Sequence, residues 1–202
     1  MNLVIPTIGI VGGIGSGKST VAAALQKHGG YLIVADALGH EALRQPDIKA
    51  ALVKRWGDSI LDAAGEVDRK KVGRIVFADA DELRALEALV FPFIEKRIVE
   101  ETAKARNQPD VKFIILDAAI MLETGWDRHC DKIVFVETPR DLRIARLQKN
   151  RAWNEEELDR REAAQMPPEK KMSRAAAVIV NDEGLDKVVR QVQELLLQWQ
   201  TI

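Results

Sequence analysis

The chain has 202 residues, of which 47% are hydrophobic and 30% charged, and its formal net charge is -1. This composition is typical of a folded domain and excludes a disordered chain or a general nucleic-acid binder, which would be markedly basic. Cys130 is the single cysteine, so neither an intrachain disulfide nor a cysteine-based metal cluster can form. No stretch approaches the roughly 18 apolar residues of a membrane-spanning helix, so a cytoplasmic protein is expected.

Five apolar runs alternate with helical patterns and predict the strands of one parallel sheet. These runs lie at residues 8–11, 31–34, 113–116, 132–136 and 177–180. Helices are predicted at residues 20–27, 37–45, 48–56, 69–77, 81–90, 92–105, 139–150, 154–165 and 185–199. The predicted fold is therefore α/β, with a five-stranded parallel sheet and helices on both faces.

A glycine-rich turn follows the first predicted strand and leads directly into the first predicted helix. Residues 12–19 match the phosphate-loop (P-loop) pattern GxxxxGK[ST] in the strand, loop and helix context that it requires. Backbone N–H groups and the helix N-terminus surround phosphate oxygens in such a loop. Lys18 would bind the β- and γ-phosphates of a nucleoside triphosphate, and the Ser19 hydroxyl would bind Mg²⁺. The predicted nucleotide contacts are Gly13, Ile14, Gly15, Ser16, Gly17, Lys18, Ser19 and Thr20.

Two segments depart from the alternation of strands and helices. The region of about residues 41–108 contains no convincing strand and predicts a helical lobe at the open end of the sheet. Residues 140–174 include ten basic and seven acidic residues. They indicate either a solvated helical face or a lid (about residues 141–172) whose arginines stabilise phosphate charge. The core would then comprise about residues 1–40, 110–140 and 175–202, within one domain.

Two features that the chain lacks argue against a GTPase and against a motor ATPase. The chain lacks the Asn-Lys-x-Asp string with which a GTPase reads guanine, and its 202 residues leave no room for the extra domains of a motor. A small-molecule kinase remains, and its acceptor hydroxyl needs a carboxylate near the γ-phosphate. Asp36, just after the second predicted strand, fits that role, although aspartate is also a favoured helix N-cap.

Residues 12–22, followed by Val34-Ala35-Asp36-Ala37-Leu38-Gly39-His40, resemble the dephospho-coenzyme A kinase family. Further matching pieces lie at residues 68–77, 86–92, 116–123, 146–147, 161–165 and 179–184, so the resemblance covers nearly the whole chain. It implies a three-layer P-loop kinase fold with a helical acceptor-binding lobe and a lid. It also implies phosphorylation of the ribose 3′-hydroxyl of dephospho-CoA with ATP and Mg²⁺, the last step of CoA synthesis.

The resemblance assigns acceptor-binding roles to three positions. Asp36 would accept or orient the proton of the ribose hydroxyl, while His40 and Arg74 would bind the acceptor. Dephospho-CoA would be the partner of this surface, with no nucleic acid or membrane involved. A monomer or small homo-oligomer is expected.

The resemblance also assigns roles on the nucleotide side. Arg146 and Arg161 would stabilise the transferred phosphate, and Asn181 would lie near the adenine of ATP. Asp117 would act through water on Mg²⁺ or cap a strand end, and Glu123 would serve the site or hold a loop. The implied catalytic residues are Asp36, Lys18 and Arg146.

Several positions depart from the family pattern without touching the P-loop or Asp36. Val34 replaces the first aspartate of Asp-Ala-Asp, Phe91 replaces a histidine, and Ala177 replaces an aspartate. Residues 118–121 replace a stretch that contains a proline. Val34 and Phe91 favour one alternative, a nucleoside or nucleotide kinase of the same fold with another acceptor. A non-kinase P-loop switch ATPase is a further alternative, which would leave Asp36 and the lid without a purpose.

Overall fold

The computed structural model describes residues 5–200, which form one sheet of five parallel strands with helices around it. The strands are β1 (Thr7–Gly12), β2 (Gly30–Val34), β3 (Phe113–Asp117), β4 (Lys132–Glu137) and β5 (Ala177–Val180). Their order is β2-β3-β1-β4-β5, and every pairing is parallel. The predicted α/β class and five-stranded parallel sheet are confirmed, and each predicted strand lies within an observed one.

Nine α-helices lie within the described residues. They are α1 (Lys18–Gln26), α2 (Ala35–Ala42), α3 (Pro46–Trp56), α4 (Arg69–Val76), α5 (Ala80–Arg106), α6 (Arg140–Arg151), α7 (Glu155–Glu162), α8 (Pro168–Met172) and α9 (Leu185–Gln198). Two short 3-10 helices occur at Asp58–Ile60 and Trp126–His129. Within residues 5–200, no helix combines the length and the apolar character that crossing a membrane requires.

The chain divides into two compact units. The sheet unit comprises the described residues up to Val34 and those from Glu101 onward, and the helical unit is Ala35–Glu100. The sheet unit contains all five strands, together with α1 and α6 to α9. The ends of the predicted core, residues 1–4 and 201–202, lie outside the described residues.

Strand β1 runs through the centre of the sheet, between β3 and β4, and all six of its residues are buried. A strand covered on both faces is expected to be apolar along its length. On one face, Ile8 and Ile10 belong to a buried cluster with Leu25 of α1 and Leu196 of α9. The strand that leads into the P-loop is therefore supported by its neighbours in the sheet and by these two helices.

The strands of the sheet end together. Ile10 lies beside Asp117, which also lies beside Val34, and Gly12 lies beside Val136. Parallel strands that end together bring the following segments to one edge of the sheet, where ligands bind in such folds. The P-loop, Asp117, the β4–α6 connection and the β5–α9 connection therefore share one edge.

The prediction of separate helices on either side of Pro92 is wrong, because α5 continues through this residue. A proline in a helix removes one backbone hydrogen bond and crowds the preceding turn. The buried residues Val90, Ile94 and Ile98 recur every four positions, so a single apolar face continues across the proline. Burial of that face outweighs the missing hydrogen bond.

We expect the packing of α1 on the sheet to dominate the stability of the sheet unit. Leu25→Ala removes a fully buried side chain (0% exposed) and should lower the free energy of unfolding by about 2–5 kcal/mol, measured by urea denaturation. Leu197→Ala on α9 is the matched control, since Leu197 is 63% exposed and its loss should change stability by about 0.5 kcal/mol at most. Equal effects of the two substitutions would contradict the assigned core.

Candidate active site

The P-loop lies between the end of β1 and the start of α1 in the sheet unit. Gly15 and Gly17 have φ values of 78° and 83°, in the left-handed region that favours glycine. Gly17 is also the N-cap of α1 and provides no side-chain cap. No side chain therefore competes with a phosphate at the start of α1, although the N–H of Thr20 donates to the carbonyl of Gly17 at 2.9 Å.

The carbonyl of Ser16 is held by three side chains from different segments. It accepts hydrogen bonds from Nδ2 of Asn181 at 2.8 Å and Oγ1 of Thr138 at 2.8 Å, and a longer one from Nη1 of Arg146 at 3.4 Å. The carbonyl and the N–H of a trans peptide point in opposite directions. Holding the Ser16 carbonyl therefore turns the N–H of Gly17 to the opposite side of the loop.

Gly17 is required by space as well as by backbone conformation. A Cβ at this position would run into Nδ2 of Asn181, which is buried. The Asn181 side chain thus approaches the loop closely only because residue 17 has no side chain. This contact brings the β5–α9 connection directly onto the P-loop.

Lys18 and Ser19 lie at the start of α1. Nζ of Lys18 donates to the carbonyls of Gly12 at 3.3 Å and Gly13 at 3.4 Å. These bonds are long, and a phosphate is a stronger acceptor for an ammonium group than a neutral carbonyl. Ser19 is exposed and Thr20 is half-buried, so the Ser19 hydroxyl is accessible to a ligand.

A magnesium ion fits the oxygen groups at this edge of the sheet. Within residues 5–200, no group of three or more His, Cys, Asp or Glu side chains is placed to hold a metal. Mg²⁺ bound with a nucleotide does not need such a group, since phosphates and waters supply most of its ligands. The exposed hydroxyl of Ser19 and the carboxylate of Asp117, at the end of β3, are the protein oxygens suited to it.

The two arginines predicted on the nucleotide side have different surroundings. Arg146, on α6, donates from Nη2 to the backbone oxygen of Asn181 at 3.0 Å and to its Oδ1 at 3.4 Å. Arg161, on α7, donates from Nε to Glu157 at 2.6 Å, and its guanidinium lies 4.2 Å from the ring centre of Trp153. The structure thus brings Arg146 and Asn181 together at the P-loop. These contacts of Arg161, by contrast, are to Glu157 on α7 and to Trp153, which shortly precedes α7.

The predicted acceptor residues belong to the helical unit. Asp36 is exposed in the first turn of α2, which begins one residue earlier, and Arg74 is exposed in the last turn of α4. His40 is half-buried, and its Nδ1 lies 3.4 Å from Nη1 of Arg69. Burial, and then the positive charge of Arg69, lower the pKa of His40, although Asp36 acts in the opposite direction.

Several polar residues that hold the site together were absent from the predicted set. Thr138 and Arg143 contact carbonyls of the P-loop, and both are buried. Lys171 is 1% exposed and binds Glu123 at 2.9 Å and the carbonyl of Ala119 at 2.8 Å. A charged residue in a run of charges resembles a surface residue in sequence, so nothing in the local pattern identified these buried cations.

Glu123 holds the chain after α7 to the segment after β3. Its carboxylate accepts a hydrogen bond from the backbone N–H of Met166 at 2.8 Å as well as the contact from Lys171. These two contacts support the alternative that Glu123 holds a loop.

Comparison with known proteins shows the family and the fold of the chain. The dephospho-CoA kinase family model matches residues 6–187. A dephospho-CoA kinase from Geobacillus kaustophilus is 36% identical over 198 residues, covering 97% of this chain and 98% of the relative. A solved structure from Thermus thermophilus is 33% identical, with a TM-score of 0.80 and coverage of 97% of this chain and 98% of that one. The structure of a dephospho-CoA kinase from Campylobacter jejuni, 21% identical, has the same fold, with a TM-score of 0.70 and coverage of 96% of each chain. The chain therefore belongs to the dephospho-CoA kinase family, as its motifs predict.

Proposed function

We propose that the chain transfers the γ-phosphoryl group of ATP to the ribose 3′-hydroxyl of dephospho-CoA, giving CoA in the last step of its synthesis. Membership of the family over residues 6–187 supports this activity. The observation that carries the proposal is the P-loop itself, whose left-handed glycines, uncapped helix start and Lys18 form a triphosphate site. We place the protein in the cytoplasm.

The donor half of the reaction is assigned to the sheet unit. The N–H groups of the loop and of the first turn of α1 bind the β- and γ-phosphate oxygens, with Lys18 as their cationic partner. Ser19 and Asp117 would hold Mg²⁺, which when bound neutralises charge on the same phosphates. Asn181 and Arg146 line the adjoining nucleotide position, and Arg161 adds positive charge from α7, the part of the chain that we assign to the lid.

The acceptor half of the reaction is assigned to the helical unit. The 3′-hydroxyl oxygen attacks the γ-phosphorus, and the bond from that phosphorus to the β–γ bridging oxygen breaks as the new bond forms. Asp36 takes the hydroxyl proton, since an exposed carboxylate in the first turn of α2 is accessible to it. His40 and Arg74 bind the acceptor, and burial and the charge of Arg69 lower the pKa of His40, which favours its neutral ring.

An acceptor panel tests the proposal directly. The protein is incubated with ATP and Mg²⁺ and with dephospho-CoA, nucleosides, nucleoside monophosphates or no acceptor, and ADP and the phosphorylated products are measured. We expect CoA from dephospho-CoA and little ADP without an acceptor. Turnover of a nucleotide in place of dephospho-CoA would favour the second kinase hypothesis, for which Val34 and Phe91 are the motivation. ADP release that no acceptor changes would indicate a switch ATPase.

Lys18→Ala should lower kcat/KM by at least about 10²-fold, because the β- and γ-phosphate charge loses its main cationic partner in the transition state. Steady-state kinetics with varied ATP measure the effect. Lys27→Ala is the matched control, since Lys27 is exposed beyond the other end of the same helix. Full activity of Lys18→Ala would remove the assigned role of the loop.

Asp36→Asn should lower kcat by roughly 10²–10⁴-fold and leave ATP affinity unchanged, because the amide cannot accept the hydroxyl proton. ATP affinity is measured by calorimetry, and the melting temperature by differential scanning. Asp47→Asn is the control, since Asp47 is an exposed acid in the first turn of α3. A loss of stability or of ATP affinity with Asp36→Asn would mark this residue as structural.

A further inference from the structure

Arg143 is a buried cation beside the P-loop that the mechanism above does not use. It lies on α6, one helical turn before Arg146, and is 8% exposed. Its Nη1 donates to the carbonyl of Ile14 at 3.1 Å and also forms an ion pair with Glu162 of α7. An arginine withdrawn from water in this way needs both partners to offset the cost of burial.

The bond to Ile14 fixes the orientation of one peptide group of the loop. Because a trans peptide is planar, a carbonyl of Ile14 that points toward Arg143 leaves the N–H of Gly15 pointing away from it. Arg143 also covers the loop closely, since a Cβ on Gly13 would lie 2.9 Å from its Nη1. The Gly15 N–H is one of the predicted phosphate donors, so its direction matters for binding.

The loop is open to a cavity on the side where Arg143 lies. The cavity has a volume of about 180 Å³ and is bounded by Gly13, Ser16 and Arg143, together with Met172 of α8. The hydroxyl of Ser16 is buried without a hydrogen-bond partner, so this side chain does not anchor the loop. The hydrogen bond from Arg143 constrains the Ile14–Gly15 peptide, whereas the side chains of Asn181 and Thr138 constrain the next part of the loop at the carbonyl of Ser16.

Glu162, the partner of Arg143, lies on α7, the helix that also carries Arg161. Its carboxylate binds Arg143, and its Oε2 lies 3.5 Å from Nη1 of Arg140. Glu162 directly follows Arg161 in the chain, in the last turn of α7. An ion pair at this position ties the end of α7 to α6 and, through Arg143, to the P-loop.

We propose that Arg143 and Glu162 form a positioning pair that holds the Ile14–Gly15 peptide in its phosphate-binding orientation and anchors α7 beside the P-loop. This inference rests on the proposed function for the identity of the nucleotide. Arg143 acts through the backbone and not by touching the phosphate, whereas Glu162 acts through Arg143. The pair is therefore expected to affect ATP affinity more than the rate of the chemical step.

The test compares ATP binding among four variants without any acceptor present. Arg143→Met removes the donor, and Arg143→Lys keeps a positive charge and N–H donors on a shorter, differently shaped group. Glu162→Gln weakens the pair, and the double variant R143M/E162M replaces the whole pair with apolar side chains that leave no buried charge. The Kd for ATP is measured by calorimetry, and the melting temperature is recorded for each variant.

We expect Arg143→Met and the double variant to raise the Kd for ATP by about tenfold or more, the scale of one charge-assisted hydrogen bond. Arg143→Lys should recover part of this loss, and Glu162→Gln should cause a smaller one. In turnover assays, KM for ATP should rise more than kcat falls. If Arg143→Met does not fold, the double variant decides the result.

Lys149→Met is the matched control, because Lys149 is an exposed cation on the same helix as Arg143 and lies outside the Arg143–Glu162 contact. It should leave the Kd for ATP unchanged. A folded double variant with wild-type ATP affinity would overturn the proposal, as would an equal loss with Lys149→Met. Binding is measured without an acceptor, so absence of CoA formation by the wild-type protein would count against the proposed function and not against the pair.

Discussion

The direction of the peptide groups in the P-loop is the constraint on which the site depends. Phosphate oxygens need N–H groups on one side of the loop, so the carbonyls must face the other side. The structure satisfies these carbonyls with side chains from elsewhere in the sheet unit. Asn181, Thr138 and Arg146 hold the carbonyl of Ser16, and Arg143 holds that of Ile14. Side chains of the sheet unit thus set the direction of these peptide groups in the loop.

Much of the donor site follows from local sequence, because a P-loop is a contiguous motif with fixed spacing. The five strands are also predictable, since each contains a continuous apolar run, as expected for a parallel sheet whose central strand is buried on both faces. The continuation of α5 through Pro92 is not predictable in this way. The local rule that proline ends a helix does not consider the apolar face that continues on both sides of Pro92. The short helix α8 is missed for a similar reason, since the two prolines that introduce it resemble an irregular turn.

The buried cations show where sequence reasoning reaches its limit. Arg143 and Lys171 lie in a charged segment, and their partners are 19 and 48 positions away, at Glu162 and Glu123. Burial of a charge depends on such distant partners, which no local pattern reveals. The roles of Asp36, His40, Arg74 and Arg161 stay predictions, supported by the family and by exposure or position on their helices.

The division of the chain at Val34 and Glu101 has a consequence for how acceptor choice can change. The helical unit is one continuous insertion, Ala35–Glu100, with a single peptide link at each end. Asp36 is the second residue of that insertion, so the proposed base lies in the same continuous segment as His40 and Arg74. Exchange of this segment would transfer the proposed base and the proposed acceptor residues together, with one junction inside helix α5. Under the proposed function, the choice of acceptor therefore depends on one continuous segment of the chain.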